Sequence, residues 1–227
     1  MLDSNYMGRG GSSETSSVLS RRLTFPQREI PRLAHLGTMV ATDKGKRSYE
    51  GHGLSVSLDP DAWSEIAKLG GLPLWELEKA DGVFIEAHSL TEDQKDIITE
   101  WGIKSGLVET AISYQTTRWD DELDGEYCGL YSTYQEAYAE AETDESPEDM
   151  IKTVVTLKPL AALEQRLGMK SELDCFDHLL VVYAEDETEA DEVWWEDAYG
   201  FMSAPRGVIL PSRLESWSHH PISQFEE

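Results

Sequence analysis

The sequence predicts an α+β fold: a mixed, mainly antiparallel sheet of about seven short strands with about four short helices. Three observations predict it. Short apolar runs bounded by Gly, Pro or Asp recur along the chain and interleave with short segments of helical period. Several of these runs follow one another without a helix long enough for a parallel crossover. Finally, 40% hydrophobic residues over 227 positions, with seven Trp, nine Tyr and five Phe, supply a core of single-domain size.

Residues 1–32 are expected to form a flexible, basic arm. Gly and Ser dominate up to residue 20; Arg21, Arg22, Arg28 and Arg32 follow, with Pro26 and Pro31 keeping the backbone extended. The body is expected over 33–217. Leu33–Val40 is the first strand, and Leu54–Leu58, alternating apolar and small polar residues after Gly51-His52-Gly53, is the second. Asp59-Pro60 supplies an N-cap and an N1 proline to a helix with Trp63, Ile66, Ala67 and Leu69 inward, which Gly70-Gly71 stops. Strands are expected at Leu72–Leu77 and Val83–His88, with Asp81-Gly82 as the turn between them. Thr91-Glu92-Asp93-Gln94 is a capping box, and the helix it opens carries Ile97, Ile98 and Trp101 and is expected to end at Gly102. Val108–Thr117 alternates as a strand.

The second half follows the same rules. A solvated loop is expected over 120–126, a strand at Gly129–Thr133 and a short helix at Tyr134–Glu142 with Ala137, Tyr138 and Ala141 inward. Thr153–Leu157 is β-branched and strand-like, and Pro159–Leu167 is a helix closed by Gly168. His178–Ala184 is the most apolar run, expected to be a central strand. Ala204-Pro205-Arg206-Gly207 signals a turn into a last strand, and 218–227 is expected to be a mobile tail.

Charge carries the strongest functional signal. The formal net charge is −25. Residues 1–50 hold eight Lys/Arg and five Asp/Glu (+3), so the remaining 177 hold eleven and thirty-nine (−28). Twelve acids and no Lys or Arg lie from Asp120 to Asp149, and eleven acids with no Lys or Arg lie between Lys170 and Arg206. Such a body repels phosphate backbones and anionic lipid, which disfavours direct nucleic-acid or membrane binding and favours a basic protein partner, a nucleic-acid-binding one included. Acids spaced along a surface imitate a phosphate backbone, and aromatics among them serve as anchors. The expected partner-binding residues are Trp119, Asp120, Asp121, Glu122, Asp124 and Glu126 in the first tract. In the second they are Glu185, Asp186, Glu187, Trp194, Trp195, Glu196, Asp197 and the terminating Arg206.

Catalytic and metal patterns are sparse. No Gly-x-Ser-x-Gly, no Gly-Lys-Ser/Thr after a glycine loop and no His or Cys pair with ligand spacing occurs, so no metal ligands are expected. Cys128 and Cys175 stand alone, as thiols of a reducing compartment do, although one bridge between them remains open. No apolar run has the length of a membrane span or a signal segment, so a cytoplasmic location is expected.

One series does point to chemistry. His35-Leu36-Gly37-Thr38 on an early strand, the Gly51–Ser57 strand, and Gly129-Leu130-Tyr131 before an alanine-bearing helix together resemble the ADP-ribosyltransferase family. That resemblance implies NAD as cofactor, with His35 holding the nicotinamide ribose, Tyr131 stacking on the nicotinamide and Glu185 polarising the ribose. The two expectations are therefore an acidic binding module, of inhibitor, immunity or nucleic-acid-mimic type and without cofactor, or an enzyme using NAD.

Overall fold

The computed structural model describes residues 22–40, 52–120, 125–141, 146–197 and 204–222. It is an α+β fold with eleven strands in three sheets, five α-helices and three short 3-10 helices among those residues.

The central sheet has five strands: β1 (Gln27–Glu29), β3 (Leu54–Val56), β5 (Asp81–Glu86), β9 (Glu192–Trp195) and β10 (Arg206–Ile209), in the order β1-β5-β9-β10-β3. Only β5 and β9 run parallel; the other pairs are antiparallel. A second sheet, β11-β4-β2, is formed by β2 (Leu33–Leu36), β4 (Leu74–Glu78) and β11 (Ser218–Ile222). The third, β7-β6-β8, is formed by β6 (Val108–Asp120), β7 (Gly125–Tyr131) and β8 (Ile151–Pro159). The arm and tail expectations change at these edges. Residues 27–29 of the basic arm pair with β5, and residues 218–222 of the expected tail pair with β4, while 1–21 and 223–227 lie outside the described residues.

Local signals set most helix ends. α1 (Pro60–Ile66) starts where the Asp59 side chain accepts from the Ala62 amide. α2 (Glu92–Lys104) starts with the full Thr91/Gln94 capping box. It runs past Gly102, because that glycine is the close-approach point for Leu179: a Cβ there would lie 2.7 Å from both Leu179 methyls. α3 is Tyr134–Ala141, and α4 (Ala161–Leu167) closes on Gly168 in the left-handed region at φ 69°. The Asp81-Gly82 pair, expected to be a turn, lies inside β5, where Arg28 and Glu29 pair with it.

The largest correction concerns the run expected to be the central strand. His178–Ala184 lies in helix α5 (Phe176–Glu187). Every residue from Leu179 to Ala184 is buried, so this stretch of the helix is apolar all round and a continuous apolar run carries no strand or helix period. α5 is the axis of the larger core, ringed by Ile85, Ile98, Leu163, Leu167, Val193, Trp195 and Leu210. A second core, with Leu33, Leu54, Leu77, Phe84, Trp194, Ile209 and Trp217, fills the space on the opposite face of the central sheet. β9 separates the two, and alternation along it sends Trp194 into one and Trp195 into the other.

Candidate functional site

Arg206 opens β10 opposite Trp195 in the β9–β10 register. Its guanidinium carbon lies 4.5 Å from the Trp195 ring centroid, a cation–π contact. Its Nε donates to Asp197 Oδ2 at 2.8 Å, and a terminal nitrogen donates to Asp177 Oδ2 at 3.3 Å. Asp177 comes from the first turn of α5 and Asp197 from the segment after β9, so three elements converge on one cation. The Arg206 side chain is 15% exposed, whereas Asp177 is 49% and Asp197 34% exposed, so the charges that face solvent here are the carboxylates.

Beside this cluster lies an open cleft of about 330 Å³. It is lined by Asp177, Glu196 and Asp197 together with His88 and Lys95, and Phe176 and Trp195 contribute apolar surface. Arg206 also reaches a smaller cavity of about 60 Å³, lined by His35, Ser55, Ser57 and Trp63 among others. The arginine therefore stands between the two hollows.

Of the three residues that the ADP-ribosyltransferase resemblance implies, His35 alone lines the smaller cavity. His35 and the Ser55–Ser57 strand do come together: Ala34 bridges Ser57, and His35 Nδ1 lies 2.7 Å from the Ser55 carbonyl. Its Nε2 lies 3.0 Å from the Thr38 carbonyl, and the residue is only 9% exposed, so either ring N–H has a backbone acceptor. Tyr131 belongs to the β7-β6-β8 sheet, and neither it nor Glu185 lines the His35 cavity. Gly129 has a packing reason: a Cβ there would strike the Tyr131 ring, 2.7 Å from its Cε2, so Gly-x-Tyr is a strand pair in which the ring lies over the glycine. Glu185 accepts from the Ser212 amide at 3.2 Å.

The second acidic tract is stitched inward. Asp186 pairs with Arg166; Glu187 lies 3.6 Å from Arg22 and accepts from Trp101 Nε1 at 3.1 Å; Glu196 accepts from Trp194 Nε1 at 3.3 Å. Asp191 is held by Lys79 and the Val83 amide. The cations missing from the tract arrive from elsewhere in the fold, which a linear charge count does not register. Trp194 and Trp195 are 4% and 5% exposed, so both are core residues rather than surface anchors. In the first tract, Trp119 and Asp120 lie in β6 and Glu126 in β7, with Trp119 opposite Glu126. Asp121, Glu122 and Asp124 lie outside the described residues.

Sequence reasoning missed two features. Glu192 is fully buried on β9 with neither carboxylate oxygen partnered among the described residues, and burial first, then the neighbouring Asp191 charge, hold its pKa well above the usual carboxylate range. Glu76, Glu78 and His220 converge on the β4–β11 pair. The thiols are both free: Cys128 is exposed, and Cys175 is buried, its pKa pushed up to about 11 chiefly by burial.

No family model, curated protein or solved structure matches this chain.

Proposed function

We propose that this chain is an acidic binding module for a basic protein, and that the cleft walled by Asp177, Glu196 and Asp197 receives a cationic side chain of that partner. The observation that carries the reading is the Arg206 cluster. There the fold already holds a guanidinium against an indole face between two carboxylates, and the exposed side of that arrangement is negative.

The rest of the charge distribution supports it. Most described cations, from Arg22 and Arg28 through Lys79 and Arg166 to Arg213, already hold a carboxylate. With a net charge of −25, the surplus is almost wholly unneutralised acid. Self-repulsion of that surplus destabilises the compact state, and a basic partner relieves it. Long-range attraction steers the partner, and contacts in the cleft fix its register. The same field argues against direct contact with nucleic acid or anionic membrane. No described helix is long and apolar enough to cross a bilayer. The two free thiols fit work in a reducing cytoplasm. Inhibition of a nucleic-acid-binding protein, by occupying its basic groove, is the form of action this chemistry favours.

The test is capture of partners from host lysate at low and high salt, followed by titration of the captured protein against charge variants. A stoichiometric basic partner that is released as salt rises, and whose affinity falls for Glu196→Lys, supports the reading. Capture that is indifferent to salt and to Glu196→Lys refutes it.

A further inference from the structure

We infer that Glu76, Glu78 and His220 form a binding site for a divalent transition-metal ion on the outer face of the β11-β4-β2 sheet. His220 lies 144 residues from Glu76 in sequence and is brought to the two glutamates by strand register. His220 on β11 is the direct cross-strand partner of Glu76 on β4. Glu78 stands two residues further along β4 and so shares that face. One ligand atom from each, an imidazole nitrogen and two carboxylate oxygens, lie within 4.8 Å of one another, and His220 Nε2 is 2.8 Å from Glu76 Oε2. Metal–ligand bonds of about 2.0–2.2 Å place the donors of a tetrahedral site roughly 3.3–3.6 Å apart, so small side-chain rotations close the set around an ion.

The donor set selects the class of ion. One imidazole with two carboxylates and no thiolate suits Zn²⁺, Mn²⁺ or Fe²⁺, whereas an all-oxygen set would suit Mg²⁺ or Ca²⁺. Three protein ligands leave a position for water, as in sites that activate it. The carboxylates are partly desolvated, with Glu76 23% and Glu78 37% exposed, and they project from paired strands.

A residue outside the triad shows that this spot attracts positive charge. Arg32 reaches over it, its Nε 2.7 Å from Glu78 and a terminal nitrogen 3.3 Å from Glu76. That side chain is 73% exposed, so it swings into solvent at little cost when a divalent ion takes its place. His219, one residue away, points to the other face, its ring edge-on to Trp75 at 5.9 Å, and serves as an internal control.

The test is calorimetric titration of the full chain, stripped of metal, with Zn²⁺ and separately with Mg²⁺ at neutral pH. The expected result is one saturable Zn²⁺ site per chain with much weaker Mg²⁺ binding. His220→Ala and Glu78→Gln should each weaken Zn²⁺ by at least the roughly tenfold that losing even an outer-shell partner costs a metal site. His219→Ala should leave the site intact, and Arg32→Ala should tighten it. Circular dichroism of each variant checks that the fold persists. No saturable Zn²⁺ binding would overturn the assignment, as would His220→Ala binding like the parent, or equal losses for His219→Ala and His220→Ala. So would Mg²⁺ matching Zn²⁺, which marks a diffuse atmosphere around an acidic surface.

Discussion

Glu192→Gln should stabilise this protein, and by an amount that grows with pH. Glu192 lies between Phe84 and Ile209 in the register of the central sheet, on the side occupied by Trp194. It is fully buried, and both its oxygens lack a partner among the described residues. Ionising it there costs desolvation with no compensating hydrogen bond, and Asp191 adds like-charge repulsion, so the folded state keeps the proton where the unfolded chain gives it up. The folded pKa is raised, so Glu192 contributes its full stability below the unfolded value of about 4.3 and loses it as pH climbs toward the folded pKa. Within that window the folded state binds one more proton than the unfolded state, and stability falls by about 1.4 kcal/mol per pH unit from this group alone. Glutamine has the shape of the protonated acid and does not titrate. The difference between variant and parent is therefore expected to be near zero in acid, to rise at about 1.4 kcal/mol per unit, and to level off above the folded pKa. The assay is urea unfolding followed by tryptophan fluorescence from about pH 4 to about pH 8, taking variant minus parent so that the other carboxylates cancel. Parallel curves for the two proteins across that range would refute the reasoning, as would a variant that loses stability relative to the parent as pH rises.

Two further outcomes follow from the same sheet and core. Gly207→Ala places a methyl against the Trp194 ring and 2.5 Å from the Glu192 carboxyl, so it should cost about 1–3 kcal/mol in urea unfolding; a neutral result would mean the β9–β10 packing is looser than described. A thiol reagent at neutral pH should titrate one cysteine per folded chain, Cys128, and two after unfolding, because Cys175 is buried with its pKa raised to about 11; two fast thiols in the native state would contradict that burial.

Signals confined to a few neighbouring residues were legible in the sequence. Asp59-Pro60, the Thr91/Gln94 box and the Gly168 stop act through the local backbone, and each marks a helix end in the structure. The α+β class and the mainly antiparallel pairing follow from the recurrence of short strands with short connections. Legibility failed where burial comes from all sides or where partners are remote. The Leu179–Ala184 stretch of α5 is buried on all sides, so it lost the period that separates helix from strand. Length separates them, since α5 spans twelve residues. Trp194 and Trp195 stand among acids, which pointed to partner-binding anchors, yet strand alternation divides them between two cores. Asp186, Glu187 and Asp191 looked unneutralised because Arg166, Arg22 and Lys79 are distant in the chain. The Glu76–Glu78–His220 triad depends on register between strands about 140 residues apart, which no local spacing rule reports.

The measurement that bears most directly on the central proposal compares two charge reversals against the captured partner. Glu196→Lys alters the cleft wall, and Glu148→Lys makes the same change in net charge, from −25 to −23, at an exposed position in the 3-10 helix Pro147–Met150. If the cleft receives a cationic side chain, calorimetric titration at one salt concentration should show affinity falling at least about tenfold for Glu196→Lys, as loss of a desolvated charge contact does, and little change for Glu148→Lys. Equal effects of the two reversals would mean that only the overall field matters, and that the cleft is not where the partner docks.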